Sequence, residues 1–111
     1  MDKIEKLKYE LTDINDGLLI KLRYGSDIND EIIKQFGSIK SIIKNISVIW
    51  RREKYLPKEL CGIFADFFPA IESCLPGYDR ETADRLLGYA DEIMELIRSC
   101  CVLTDQFPGK C

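Results

Sequence analysis

The side chains in this sequence able to do chemistry are carboxylates and thiols. There are 19 acids, five cysteines and no histidine. The missing imidazole removes Ser-His-Asp triads, Cys-His pairs and the H-E-x-x-H zinc helix at once. Glu-x-x-His ligation of a di-metal centre goes with them. No G-x-x-x-x-G-K-[ST] loop or G-x-G-x-x-G turn is present to cradle phosphate. A carboxylate group does stand at Asp91, Glu92 and Glu95, but an all-carboxylate metal site needs acids that face inward, and helical spacing turns these outward. The cysteines, Cys61, Cys74, Cys100, Cys101 and Cys111, are odd in number and none pair as C-x-x-C. Cys61, Cys74 and one of Cys100–Cys101 fall at apolar positions, where a cysteine serves as a small hydrophobe. The expectation is a protein without catalytic residues, cofactor or metal, its thiols free in a reducing cytoplasm.

The carboxylates of interest lie on what reads as the last of four helices. At 111 residues the chain is the size of one domain. A single helical domain over 1–104 and a loose tail over 105–111 are expected. The first helix, from about Asp2 to Tyr24, carries Ile4, Leu7, Leu11, Ile14, Leu18 and Leu22 at steps of three and four. Asp2 suits its N-cap, Gly17 is a weak point inside it, and Gly25 is a fitting terminator. The second starts at Ser26 or Asp27 and runs to Arg52–Lys54, with Ile28, Ile32, Phe36, Ile39, Ile43, Ile46 and Trp50 in its stripe. Ile33, Ile42 and Ile49 flank that stripe, and Gly37 is its weak point. The third opens with Pro57 and presents Leu60, Ile63, Phe64, Phe67, Phe68, Ile71 and Cys74. Pro69 predicts a kink or break near Phe67–Phe68.

After a turn at Pro76-Gly77, Asp79 caps the fourth helix. Its inward face is Ala83, Leu86, Leu87, Ala90, Ile93, Met94, Ile97 and Cys101, and it frays near Val102–Thr104. Connections of a few residues favour antiparallel neighbours. The fold class is therefore all-α: an up-down bundle of four helices, five if the third breaks at Pro69. No apolar run approaches the ~20 residues of a membrane span, and no basic-then-apolar leader is visible.

Charge is uneven along this frame. The formal net charge is only -3, yet residues 21–58 are basic and residues 59–111 strongly acidic. At 100° per residue, Glu81, Asp84, Asp91, Glu92 and Glu95 fall within an arc of about 100°, with Gly88 inside it. Like charges three and four residues apart weaken an isolated helix by a few tenths of a kcal/mol each. A face that costs stability suits docking of a basic partner. The bases Lys40, Lys44, Arg51, Arg52, Lys54 and Lys58 offer the competing reading, pairing with those acids within the fold. Arg51, Arg52 and Lys54 beside Trp50 and Tyr55 also allow nucleic-acid binding, but a pI near 5.0 speaks against it.

A compact helical form, no catalytic residues and the acids Glu81, Asp84, Asp91, Glu92 and Glu95 on one helix resemble the small helical immunity proteins of bacteria. Those neutralise toxin domains of colicins and contact-dependent growth inhibition systems. The resemblance implies a cytoplasmic toxin inhibitor, monomeric until it binds a basic toxin domain, such as a nuclease, in a one-to-one complex. Electrostatic steering would raise its on-rate. Tyr78 and Tyr89 are the expected edge anchors. The alternative is a helical regulatory or adaptor protein, a homodimer that buries Phe67 and Phe68 across a two-fold axis.

Overall fold

The computed structural model describes residues 2–50 and 52–101. Five α-helices lie among them: α1 (Lys3–Thr12), α2 (Leu18–Arg23), α3 (Asp30–Trp50), α4 (Lys58–Cys74) and α5 (Arg80–Cys101), with a 3-10 turn at Leu75–Gly77 before α5. The fold is an all-α bundle. The expected fray at Val102–Thr104 and the tail 105–111 lie outside the described residues, as does Arg51.

The fifth helix arises where the first was expected to be continuous, and not at Pro69. α1 stops at Thr12, and Asp13 caps the corner. The Asp13 carboxylate accepts from the main-chain N–H groups of Asn15 (3.1 Å) and Asp16 (2.9 Å). This local side-chain bonding competes with the helix. Ile14, expected in the core, is 79% exposed on this corner. Gly17 is where the chain folds tightest: a Cβ there would stand 2.5 Å from the Asp13 nitrogen and 2.7 Å from the Leu11 carbonyl oxygen.

The register across the corner is nevertheless kept. Leu7 and Leu11 of α1, and Leu18 and Leu22 of α2, are all buried. α2 ends on Gly25, with φ of 73° and the Ser26 N–H donating back to Lys21 O, the left-handed helix stop expected of glycine.

α3 starts later than expected. Asn29 supplies the cap, its side chain accepting from the Ile32 N–H at 3.1 Å. Ser26 and Asp27 belong to the connection before it. The helix passes Gly37 without interruption and ends at Trp50, short of Arg52–Lys54. Ile32, Phe36, Ile39, Ile42, Ile43 and Ile46 are buried, while Ile49 is 53% exposed.

α4 runs unbroken through Pro69. Pro69 and Ala65, whose carbonyl loses its donor, are both exposed. A carbonyl there is open to solvent, so a break is not forced. Leu60, Phe64, Phe67 and Ile71 face the core. Lys58–Gly77 is also long and apolar enough, by composition, to cross a membrane, contrary to the reading of the sequence. In this bundle its apolar stripe is covered by the other helices.

Cross-helix contacts fix the directions. Gln35 near the start of α3 meets Glu10 at the end of α1 and Asp16 in the corner just after it. The far end of α3, Ile46, Ile49 and Trp50, shares a groove with Asp2, Lys3 and Ile4. α1 and α3 are therefore antiparallel. Phe36 stacks on Tyr89, and Lys40 meets Glu92 four residues further on, so α3 and α5 run the same way. Lys8 pairs with Glu59 at one end, and Tyr78 bonds to Leu22 and Ser26 at the other. The first arm, α1 followed by α2, and α4 thus share the opposite direction, which gives the up-down alternation. α3 is the central helix, with the most extensive contact to α5 and the next to α1.

Candidate interaction surface

α5 is built to present two unlike faces. Asp79 opens it, accepting from the Thr82 N–H at 2.7 Å. Hydrogen bonds from the side chain and then the backbone of Thr82 hold the Asp79 carboxyl below its ordinary range. Leu86, Ala90, Ile93, Ile97 and Cys100 recur at three and four residues and are buried. The packing of this stripe on α3 and α4 leaves the opposite side in water.

That outer side carries Glu81, Asp84, Gly88, Asp91, Glu92 and Glu95, all exposed. The structure therefore brings the five predicted acids onto one solvent face. It also neutralises part of that face. Lys40 of α3 forms an ion pair with Glu92, and Arg98 donates to Glu95 at 2.6 Å one turn on. Glu81, Asp84 and Asp91 make no ion pair among the described residues. Gly88 sits between Asp84 and Asp91 with open space where a Cβ would point. The unpaired acids are thus concentrated in the N-terminal two-thirds of the face, around a flat spot, with the exposed Arg85 near its edge.

The two tyrosines proposed as edge anchors hold the fold together. Tyr78 donates its hydroxyl to Ser26 O at 2.8 Å and is half-buried. Burial, followed by the nearby Cys74 and Asp27, raises its pKa. Tyr89 stacks on Phe36 with ring centroids 4.9 Å apart. Neither ring stands free beside the acids.

The basic segment is only partly drawn in. Lys40 reaches Glu92, whereas Lys44, Arg52, Lys54 and Lys58 are exposed and make no ion pair among the described residues. Trp50 is half-buried against the core, and Tyr55 is 83% exposed. Phe67, one of the residues expected to form a dimer surface, is 1% exposed, and Phe68 packs half-buried against the same core. Of that pair only Phe68 keeps part of its side chain at the surface.

The thiols divide differently from expectation. Cys100 is the buried member of its pair, and Cys101, placed inward by the sequence, is exposed. Cys61 is exposed too and Cys74 is half-buried. Burial pushes the Cys100 thiol up to about 11. Among the described residues no group of three or more Cys, Asp or Glu side chains is arranged to hold a metal ion.

One arrangement was missed by the sequence reading. The Gln35 side-chain amide donates to Asp16 O at 2.6 Å and Glu10 O at 3.1 Å, and its oxygen accepts from Lys21 at 3.2 Å. It ties the α1–α2 corner to α3. The Asp-Gly pair at Asp16-Gly17 was the available signal for that corner.

No family model matches this chain, and neither a curated protein nor a solved structure does.

Proposed function

We propose that this chain is a toxin-neutralising immunity protein that acts from the cytoplasm of a bacterium and catalyses no reaction. Its contact surface is the outer face of α5, Glu81, Asp84, Asp91, Glu92 and Glu95. The observation that carries the reading is the exposure of all five acids on a helix whose other side is locked into the core. Such a face is held rigid before binding, so little ordering entropy is lost when a partner docks. Its negative field draws a basic partner at long range, and the excess of unpaired acids at Glu81, Asp84 and Asp91 sets where that partner lands. The open position at Gly88 lets the partner approach the helix backbone between them.

The partner is a basic toxin domain, bound one to one by a monomer. Capture with the tagged chain, then repetition with Asp84→Lys and Asp91→Lys together, tests this. The reading requires a basic protein retained by the parent chain and lost, or held with sharply reduced affinity, by the reversed chain. Equal retention by both would move the contact away from α5. Co-expression with the captured protein should protect cells from it, and the reversed chain should not.

A further inference from the structure

Three of the cysteines gather at one end of the molecule. Glu92 is level with Lys40, and α3 and α5 run in the same direction. At 1.5 Å per residue, Cys101 at the end of α5 is therefore about level with Trp50 at the end of α3. The chain then needs only residues 51–57 to enter α4, so Cys61, in the first turn of α4, stands at that same end.

Helical register brings the two thiols to facing edges. On α5 the edge toward α3 is marked by Tyr89, which stacks on Phe36. Cys101 lies on the other edge, in line with Leu87 and Met94 at steps of seven. Both of those are half-buried beside the core stripe, and α5 packs chiefly on α3 and α4, so the edge away from α3 is the one turned toward α4. On α4, Cys61 shares an edge with Phe68, also half-buried. Burial first, and then the charge of a Cys61 thiolate, raise the Cys101 thiol, in keeping with their shared end of the molecule. Cys100 also feels Cys61 but is only 2% exposed, shut away from reagents. Cys61 and Cys101 are the exposed pair.

We propose that Cys61 and Cys101 are a modification site, closing to an intrachain disulfide when the chain meets a small-molecule disulfide oxidant. The bond staples the first turn of α4 to the last turn of α5. Written with Cys61 attacking first, its thiolate displaces one thiolate from the oxidant and forms a mixed disulfide. The Cys101 thiolate then attacks the Cys61 sulfur and expels the second. Two protein thiols lose two electrons and two protons; the oxidant takes up both and leaves as two thiols. The acids of α5 are not involved, so this site stands or falls separately from the toxin-binding reading.

Oxidised glutathione is the probe. The full chain is incubated with it, remaining thiols are alkylated, and the protein is digested with trypsin. Cleavage after Lys58, Arg80, Arg98 and Lys110 leaves Cys61 and Cys74 on one peptide and Cys100 and Cys101 on another. The proposal requires those peptides to be joined, with fragmentation placing the link at Cys61 and Cys101 and the alkyl groups at Cys74 and Cys100. The joined peptide should vanish in Cys61→Ser and in Cys101→Ser and persist in Cys74→Ser, with helical circular dichroism retained in each. Glutathione left on Cys61 as a stable mixed disulfide would overturn it. So would a link running to Cys100 or Cys111, or a disulfide found only between two chains.

Discussion

Lys40 on α3 forms an ion pair with Glu92 on α5, so one of the five acids of the outer face is answered from within the fold. Both side chains are partly in water, 38% and 55% exposed. Such pairs contribute about 0–1 kcal/mol. The pair therefore does little for stability, and its larger effect is to set where the negative field of α5 ends. Beyond it only Glu95 remains, paired with Arg98.

A first prediction follows from that boundary. Lys40→Gln should change the thermal midpoint little and extend the negative face by one unmatched carboxylate. Lys44→Gln makes the same change in net charge without opening an acid. On an anion-exchange resin, a matrix of fixed positive charge, the Lys40 variant should elute at higher salt than the Lys44 variant. Coincident elution would mean that the pair does not shape the field.

The corner between α1 and α2 gives a second prediction. A methyl group at position 17 meets main-chain atoms of Leu11 and Asp13 at 2.5–2.7 Å, and main chain cannot rotate aside as a side chain does. Gly17→Ala should cost about 1–3 kcal/mol, the usual range for forcing atoms into filled space. Urea denaturation would show a lower midpoint with little change in slope. Were the first arm one continuous helix, as its apolar spacing suggests, the same substitution would stabilise the chain by about 1 kcal/mol. The sign of the change decides.

That contrast shows what the sequence could and could not reveal. The apolar spacing of α3, α4 and α5 is long and regular, so their core faces were legible almost residue by residue. So was the outward arc of α5, because an inward set at three and four residues forces the remaining positions into solvent. The break at residues 13–17 was hidden because Leu7, Leu11, Leu18 and Leu22 remain in phase across it. The Asp13 cap and the Gln35 clasp are hydrogen bonds, on which apolar periodicity is silent. Lys40 was one of six candidate bases, and only the parallel packing of α3 and α5 selects it. Cys100 and Cys101 are adjacent on the rim of one helix face. A small rotation decides which is buried, and periodicity does not resolve it.

Cys100 supplies a third prediction, in pH. Its thiol is raised from an ordinary 9.0 to about 11, chiefly by burial. The folded chain therefore holds this proton more tightly than the unfolded chain. Stability from this group is complete below about pH 9 and is lost as the pH rises toward 11. Cys100→Ala should lower stability at neutral pH, because a buried group is trimmed, yet show a shallower decline between pH 9 and 11. Urea midpoints across that range give both slopes; identical slopes would mean that Cys100 does not titrate with unfolding.

Tyr78 separates fold from binding. Its hydroxyl donates to Ser26 O at 2.8 Å, with Leu22 O at 3.4 Å, and so ties the entry to α5 to the end of α2. Phenylalanine fills the same space without that donor. It should cost about 0.5–1.5 kcal/mol, the net worth of one intramolecular hydrogen bond. If the outer face of α5 is the contact surface, Tyr78→Phe lowers the urea midpoint and leaves affinity for the captured basic partner unchanged. Reversal of Asp84 and Asp91 does the opposite: affinity falls while the midpoint holds or rises as like charges are relieved. Should the tyrosine variant lose the partner while still folded, the hydroxyl belongs to the interface, and the contact extends from the acids of α5 onto the turn that precedes it.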